Sequence, residues 1–125
     1  MAMKRAAGLA ILLAGCVTVT HVRDVLELPP PQQVQSRREG NTATIFWQAG
    51  AENRQADFDG YLLYVSPRSL ATAPLRDMPA PIVIAKGLTE HTIVIGDSLP
   101  LFIHVRSRAG RNKISLPSLP ELIIK

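Results

Sequence analysis

From Val34 to the end of the chain, no apolar stretch is long or periodic enough to make a helix. Short apolar, β-branched runs are cut apart by Gly, Pro, Asn and Asp, and such cuts punctuate strands. Ten prolines and eight glycines spread over 125 residues reinforce the point. The runs place a short first strand near Val34–Ser36, a second over Asn41–Gln48, a third over Tyr61–Ser66 and a fourth at Ile82–Ile84. His91–Ile95 and Leu101–Ser107 follow, then a last strand broken into Ile114–Leu116 and Leu122–Ile124. Pro117 and Pro120 confine that broken strand to a sheet edge, because proline cannot donate to a ladder. Ser66–Pro79, with Pro67, Pro74 and Pro79, is a long irregular connection. About seven short strands with regular turn signals describe an all-β sandwich.

Side-chain alternation assigns the faces. In the third strand Tyr61, Leu63 and Val65 point inward and Leu62 and Tyr64 outward. In the sixth, Leu101, Ile103 and Val105 point inward and Phe102, His104 and Arg106 outward. Ile45 and Trp47 cover the middle of the core. A domain of about 95 residues buries enough apolar surface to fold without disulfides, and the single cysteine, Cys16, allows none within the chain.

The N-terminus has a different character. Lys4 and Arg5 precede the apolar run Ala6–Ala14, which leads to Gly15 and Cys16. A charged start, a short apolar centre and small residues make a secretory signal. The run is shorter than the roughly 20 residues a membrane span needs. Leu13-Ala14-Gly15-Cys16 resembles the lipobox of bacterial lipoproteins. The resemblance implies cleavage before Cys16 and a diacylglyceryl group on its sulfur, with residues 1–15 as the signal peptide. It also implies an envelope location. Val17 stands where inner-membrane lipoproteins tend to carry Asp, so the expected site is the periplasmic face of the outer membrane. Residues 16–33, ending in Pro29-Pro30-Pro31-Gln32-Gln33, read as a Pro-rich, semi-rigid tether; the other reading makes Val17–Thr20 an extra strand. Residues 34–125 form the domain.

Within that domain, Trp47 closes a strand, Gly60-Tyr61-x-Leu63 opens another, and Val105-Arg106-Ser107-x-Ala109-Gly110 ends a third. These residues resemble fibronectin type III domains, which implies a seven-stranded immunoglobulin-like β-sandwich with the third and sixth strands as neighbours. Where that family carries a tyrosine whose hydroxyl ties a corner of the sandwich, this chain has Leu101.

Nothing in the sequence assembles a catalytic centre, a cofactor site or a metal site, and the expectation is a protein that is not an enzyme. His21, His91 and His104 are scattered, and no Gly-x-Ser-x-Gly elbow occurs. His104 reads as a solvated sheet-face residue. Asp57 and Asp59 flank Phe58 but lack the rest of a calcium loop. Without Lys4 and Arg5, twelve basic side chains face ten acidic ones, too even a balance for nucleic-acid binding. Arg106, Arg108, Arg111 and Lys113 cluster late in the chain. They read either as a site for an anionic partner or as charge protecting a sheet edge. The candidate partner-binding patch is Leu62, Tyr64, Phe102, His104 and Arg106, which mixes aromatic, aliphatic and guanidinium groups as binding hot spots do. Either it docks another envelope protein, or the tether or the Ser66–Pro79 connection folds back over it. The alternative function is glycan or peptidoglycan binding through exposed aromatics.

Overall fold

The computed structural model describes residues 28–125. The signal segment, Cys16 and the tether up to residue 27 lie outside the described residues. Strands β1 (Gln32–Glu39), β2 (Thr42–Gln48) and β5 (Glu90–Val94) form one antiparallel sheet in the order β1-β2-β5. Strands β3 (Phe58–Ser66), β4 (Ile82–Ala85), β6 (Leu101–Ala109) and β7 (Lys113–Ile114) form the other in the order β4-β3-β6-β7. The three residues of β8 (Leu122–Ile124) also pair with β6. This is the expected all-β sandwich.

The faces follow the alternation. Ile45 and Trp47 from β2, Tyr61 and Leu63 from β3, and Leu101, Ile103 and Val105 from β6 are buried together between the sheets. Trp47 and Phe58 each meet the Tyr61 ring edge-on, with centroids 5.2 Å apart. Side chains this well buried stabilise by roughly 1.5–3 kcal/mol each. The β1–β2 hairpin turns at Gly40, whose φ of +56° is open to glycine at no steric cost, and Thr42 Oγ1 donates to Glu39 O at 3.0 Å across it.

Three of the boundaries that differ from the sequence reading bear on how the sandwich closes. First, β1 begins at Gln32, and Leu28 and Pro31 are already buried, so the sandwich takes in the end of the stretch read as a tether. Ser107 Oγ fixes that entry by donating to Pro29 O at 2.7 Å. Second, β3 begins at Phe58, three residues early. A bulge between Phe58 and Gly60 in the ladder with β6 makes this possible. Gly60 has φ +138°, and a Cβ there would stand 2.2 Å from Ile84 O, so β4 approaches only because the side chain is missing. Third, the last strand breaks at the prolines in a specific way. Ser115 N donates to Ser107 O and Ser118 N to Val105 O. In return, the hydroxyls of Ser115 and Ser118 accept from Ser107 N at 2.8 Å and Val105 N at 3.2 Å. Side-chain oxygens thus complete the edge of β6 between β7 and β8, where Pro117 and Pro120 interrupt regular pairing.

Candidate functional site

The antiparallel register places Leu62 opposite Arg106, Tyr64 opposite His104 and Ser66 opposite Phe102. All five candidate patch residues therefore lie on the outer face of the β3–β6 pair, as alternation requires. That face, however, is closed. The connection over residues 67–79, irregular apart from a short turn of 3-10 helix at Leu75–Asp77, crosses it. Leu70 is buried against Leu62 and Tyr64, and Ala73, Met78 and Ile114 pack around them. Tyr64 is 3% exposed and His104 1%. The reading of Leu62, Tyr64, Phe102, His104 and Arg106 as an open docking patch is corrected accordingly. Phe102 is half-buried, and the others form a second, smaller core beneath a strap.

The strap is held by Glu121, just ahead of β8. Its Oε1 accepts from Ser69 Oγ at 2.7 Å and its Oε2 from Leu70 N at 2.8 Å. The same Oε2 lies 2.7 Å from His104 Nε2. The imidazole is turned off the line of a hydrogen bond, and Nδ1 has no partner. His104 is thus a buried, poorly satisfied histidine, where the sequence reading made it solvated. Burial pushes its pKa down; the Glu121 carboxylate works against that shift and Arg106 adds to it. Burial alone would raise the Glu121 carboxyl. The Ser69 hydroxyl, the Leu70 amide and His104 together outweigh it and hold the carboxyl below its ordinary value. Beside this pair, Arg106 Nη1 donates to Ser115 O at 3.0 Å, and its guanidinium carbon lies 5.9 Å from the centroid of the Tyr64 ring. Burial raises the Tyr64 phenol, with Arg106 opposing, and lowers the Arg106 guanidinium, with Tyr64 opposing.

A second buried carboxylate ties a loop at the end of β2. Glu52, fully buried in the turn Ala51–Arg54, accepts from Gly50 N with both oxygens at 2.8 and 2.9 Å and from Tyr61 OH at 2.8 Å. Burial raises the Tyr61 phenol, and the Glu52 charge raises it further. A phenol that anchors a connection, missing at Leu101, is supplied here by Tyr61. Sequence reasoning overlooked Glu52, Ser69 and Glu121. One signal existed for the last: Glu121 is the first acidic residue after Asp97, following a basic run.

Two members of the basic cluster are paired with carboxylates. Arg108 Nη2 lies 2.9 Å from Asp59 Oδ2, and Lys113 Nζ lies 2.9 Å from Asp57 Oδ2. The bond from Lys113 draws the Asp57 carboxyl below its ordinary value. The two aspartates weighed for calcium therefore neutralise the arginine and lysine weighed for an anion, which favours the edge-protecting reading. Among the described residues, no group of three or more His, Cys, Asp and Glu is placed to hold a metal.

Among the described residues, two open surfaces away from the basic cluster are relevant to binding. One is an apolar seam of about 470 Å³ on the flank, lined by Pro29, Pro30, Pro31, Leu116, Pro117 and Leu119 together with Gln32 and Gln33. Leu119 is 79% exposed there. The other is the outer face of the three-stranded sheet. There Arg37 sits 5.5 Å over the half-buried Phe46 ring, and the Thr44 and Thr92 hydroxyls are 2.9 Å apart.

No family model and no curated protein matches the chain in sequence. Solved structures do match it in shape. The third fibronectin III domain of the human KIAA0343 protein aligns with a TM-score of 0.56 at 16% identity, over 79% of this chain and 84% of that one. A fibronectin type III domain derived from the human KIAA0970 protein aligns at 0.58 and 12% identity, over 85% and 79%. The domain has the fibronectin type III fold. The same fold aligns with part of the Clostridium perfringens spore cortex lytic enzyme SleM, at 0.53 and 17% identity. The match takes in 78% of this chain but only 28% of the enzyme, so the chain spans under a third of that protein's length. At these identities the likeness concerns the fold.

Proposed function

We propose that the protein is a lipid-anchored envelope protein whose fibronectin type III-like module binds another envelope protein or serves as a structural subunit, without catalysis of its own. The anchor is Cys16, on the strength of Leu13-Ala14-Gly15-Cys16 behind a charged, apolar signal. Two or more acyl chains suffice for stable attachment. The single observation that carries the interaction role is the seam of Pro29–Pro31 with Leu116 and Leu119. It is uncharged and exposed, and it lies where the chain leaves the module toward Cys16. Residues between Cys16 and Leu28 span at most about 40 Å at roughly 3.3 Å each, so the seam works near the membrane and meets proteins held there. The outer face at Phe46, Thr44 and Thr92 favours the second reading, a glycan stacked on the ring and bonded to the hydroxyls.

Cys16→Ser decides the anchor: the expected product is a soluble or uncleaved precursor by detergent partitioning and intact mass. A cleaved variant that still partitions with membranes sinks the lipid anchor. Leu119→Asp with Leu116→Ser, in the anchored protein, decides the surface: partners cross-linked to the wild type should be lost while the thermal melt is kept. Unchanged cross-links move the interface off the seam. Sedimentation with insoluble peptidoglycan that Phe46→Ala abolishes would favour the glycan instead.

A further inference from the structure

The cover over the outer face has an unusual attachment. Residues 67–79 form no strand with either sheet and contain only a three-residue 3-10 turn. Of their side chains only Leu70 is buried. Beyond the local bond from Arg68 N to Ser66 Oγ at 3.1 Å, they are tied to the sandwich through Glu121, which takes Ser69 Oγ and Leu70 N on its two oxygens and presses Oε2 to 2.7 Å from His104 Nε2. Segments with few buried apolar contacts open at a fraction of the global unfolding free energy. Beneath the strap, opening would bring His104 out of a dry site and into water.

We propose that residues 67–79 are an acid-released strap: lifting it lets His104 take up a proton, frees Ser69 and Leu70 from Glu121, and uncovers Leu62 and Tyr64. The charged and titratable groups around His104 are few. Glu121 faces it from the approach to β8, Tyr64 is its cross-strand neighbour on β3, and Arg106 lies two residues along β6. The strap's own Arg68, Arg76 and Asp77 are exposed. Glu121 favours a protonated ring; burial and Arg106 disfavour it, and burial is the largest influence. The closed strap therefore holds His104 neutral below the ordinary histidine value of 6.5, whereas an open one leaves it to titrate normally. Opening is then coupled to the uptake of one proton, and the opening constant rises by about tenfold per pH unit below that value until the closed form also protonates.

Hydrogen exchange on the intact chain, read amide by amide and corrected for intrinsic rates, tests this from pH 7.5 to 5. The Leu70 amide reports the strap, and the Leu63 and Ile103 amides report the sandwich. The expected result is an opening constant at Leu70 that climbs about tenfold per pH unit below about 6.5, with Leu63 and Ile103 unchanged. His104→Gln should flatten the climb, and Glu121→Gln should leave Leu70 poorly protected at every pH. A flat Leu70 profile in the wild type overturns the proposal, as does greater protection in acid, which would mean that the His104–Glu121 attraction tightens the strap. An equal climb at Leu63 and Ile103 also overturns it, since the whole domain would then be opening. If His104→Gln does not fold, the three wild-type profiles decide alone.

Discussion

The module has two buried clusters on opposite sides of the same pair of strands, and they are held by different physics. Between the sheets, Ile45, Trp47, Leu63, Ile103 and Val105 pack by burial, and the Tyr61 hydroxyl adds a polar tie to Glu52. Outside the second sheet, Leu62, Tyr64 and Leu70 make a cluster too small to stand without help. Its roof stays in place because Glu121 bonds two groups of the strap. One residue in each strand alternates into the first cluster and the next into the second. The difference teaches that an apolar outer face on a small sandwich need not be a docking surface. A loop rich in proline can close it, provided one carboxylate pins the loop.

That contrast breaks most visibly at Trp47. Trp47→Ala should cost roughly 3–5 kcal/mol, as large aromatic deletions in cores do, and denaturant titration should show the midpoint fall accordingly. Tyr64→Ala comes next, at about 2–3 kcal/mol, because the irregular strap can settle partway into the space left behind. Should the two substitutions prove equal, the outer cluster is as integral as the inner one and the distinction fails.

Acid sharpens the contrast further. The folded state depresses the pKa of His104, so the unfolded chain binds that proton first. Stability from this source is whole above about 6.5 and drains away as pH falls toward the folded value. Glu121 is likewise depressed, so its contribution is whole above its ordinary 4.5 and is lost below that. A stability profile against pH should therefore fall on the acid side in two stages, with His104→Gln removing the upper one. The smallest effect belongs to the Arg108–Asp59 pair, which lies at the surface. Exposed pairs contribute little, so Arg108→Gln should leave the melt unmoved. A clear loss there would show that the basic region is structural rather than a solvated edge.

How much of this was legible beforehand depends on the range of the interaction. Period-two alternation is a property of neighbouring residues, so the inward and outward sets on β3 and β6 could be read from the chain, whereas the pairing of the outward sets came only from the resemblance to fibronectin type III domains. The bulge at Gly60 left a faint trace, a glycine where a strand should start. Glu121 left less, because its partners at Ser69 and Leu70 lie 52 and 51 residues away, and no local pattern encodes such a meeting. His104 was misplaced for the same reason: alternation says which side of a sheet a residue occupies, but not whether something lies on top.

The sequence by itself determined that the domain is all-β, which side chains face the inter-sheet core, and where proline must interrupt the last strand. These follow from strand periodicity, β-branched runs and the missing amide of proline, all of which are local. Only the tertiary structure decided that the outer face is roofed, that Arg108 and Lys113 are neutralised by Asp59 and Asp57, and that Glu52 and Glu121 are the fastenings of two loops. Those outcomes rest on which distant segments meet, and burial then fixes the cost of every polar group caught between them.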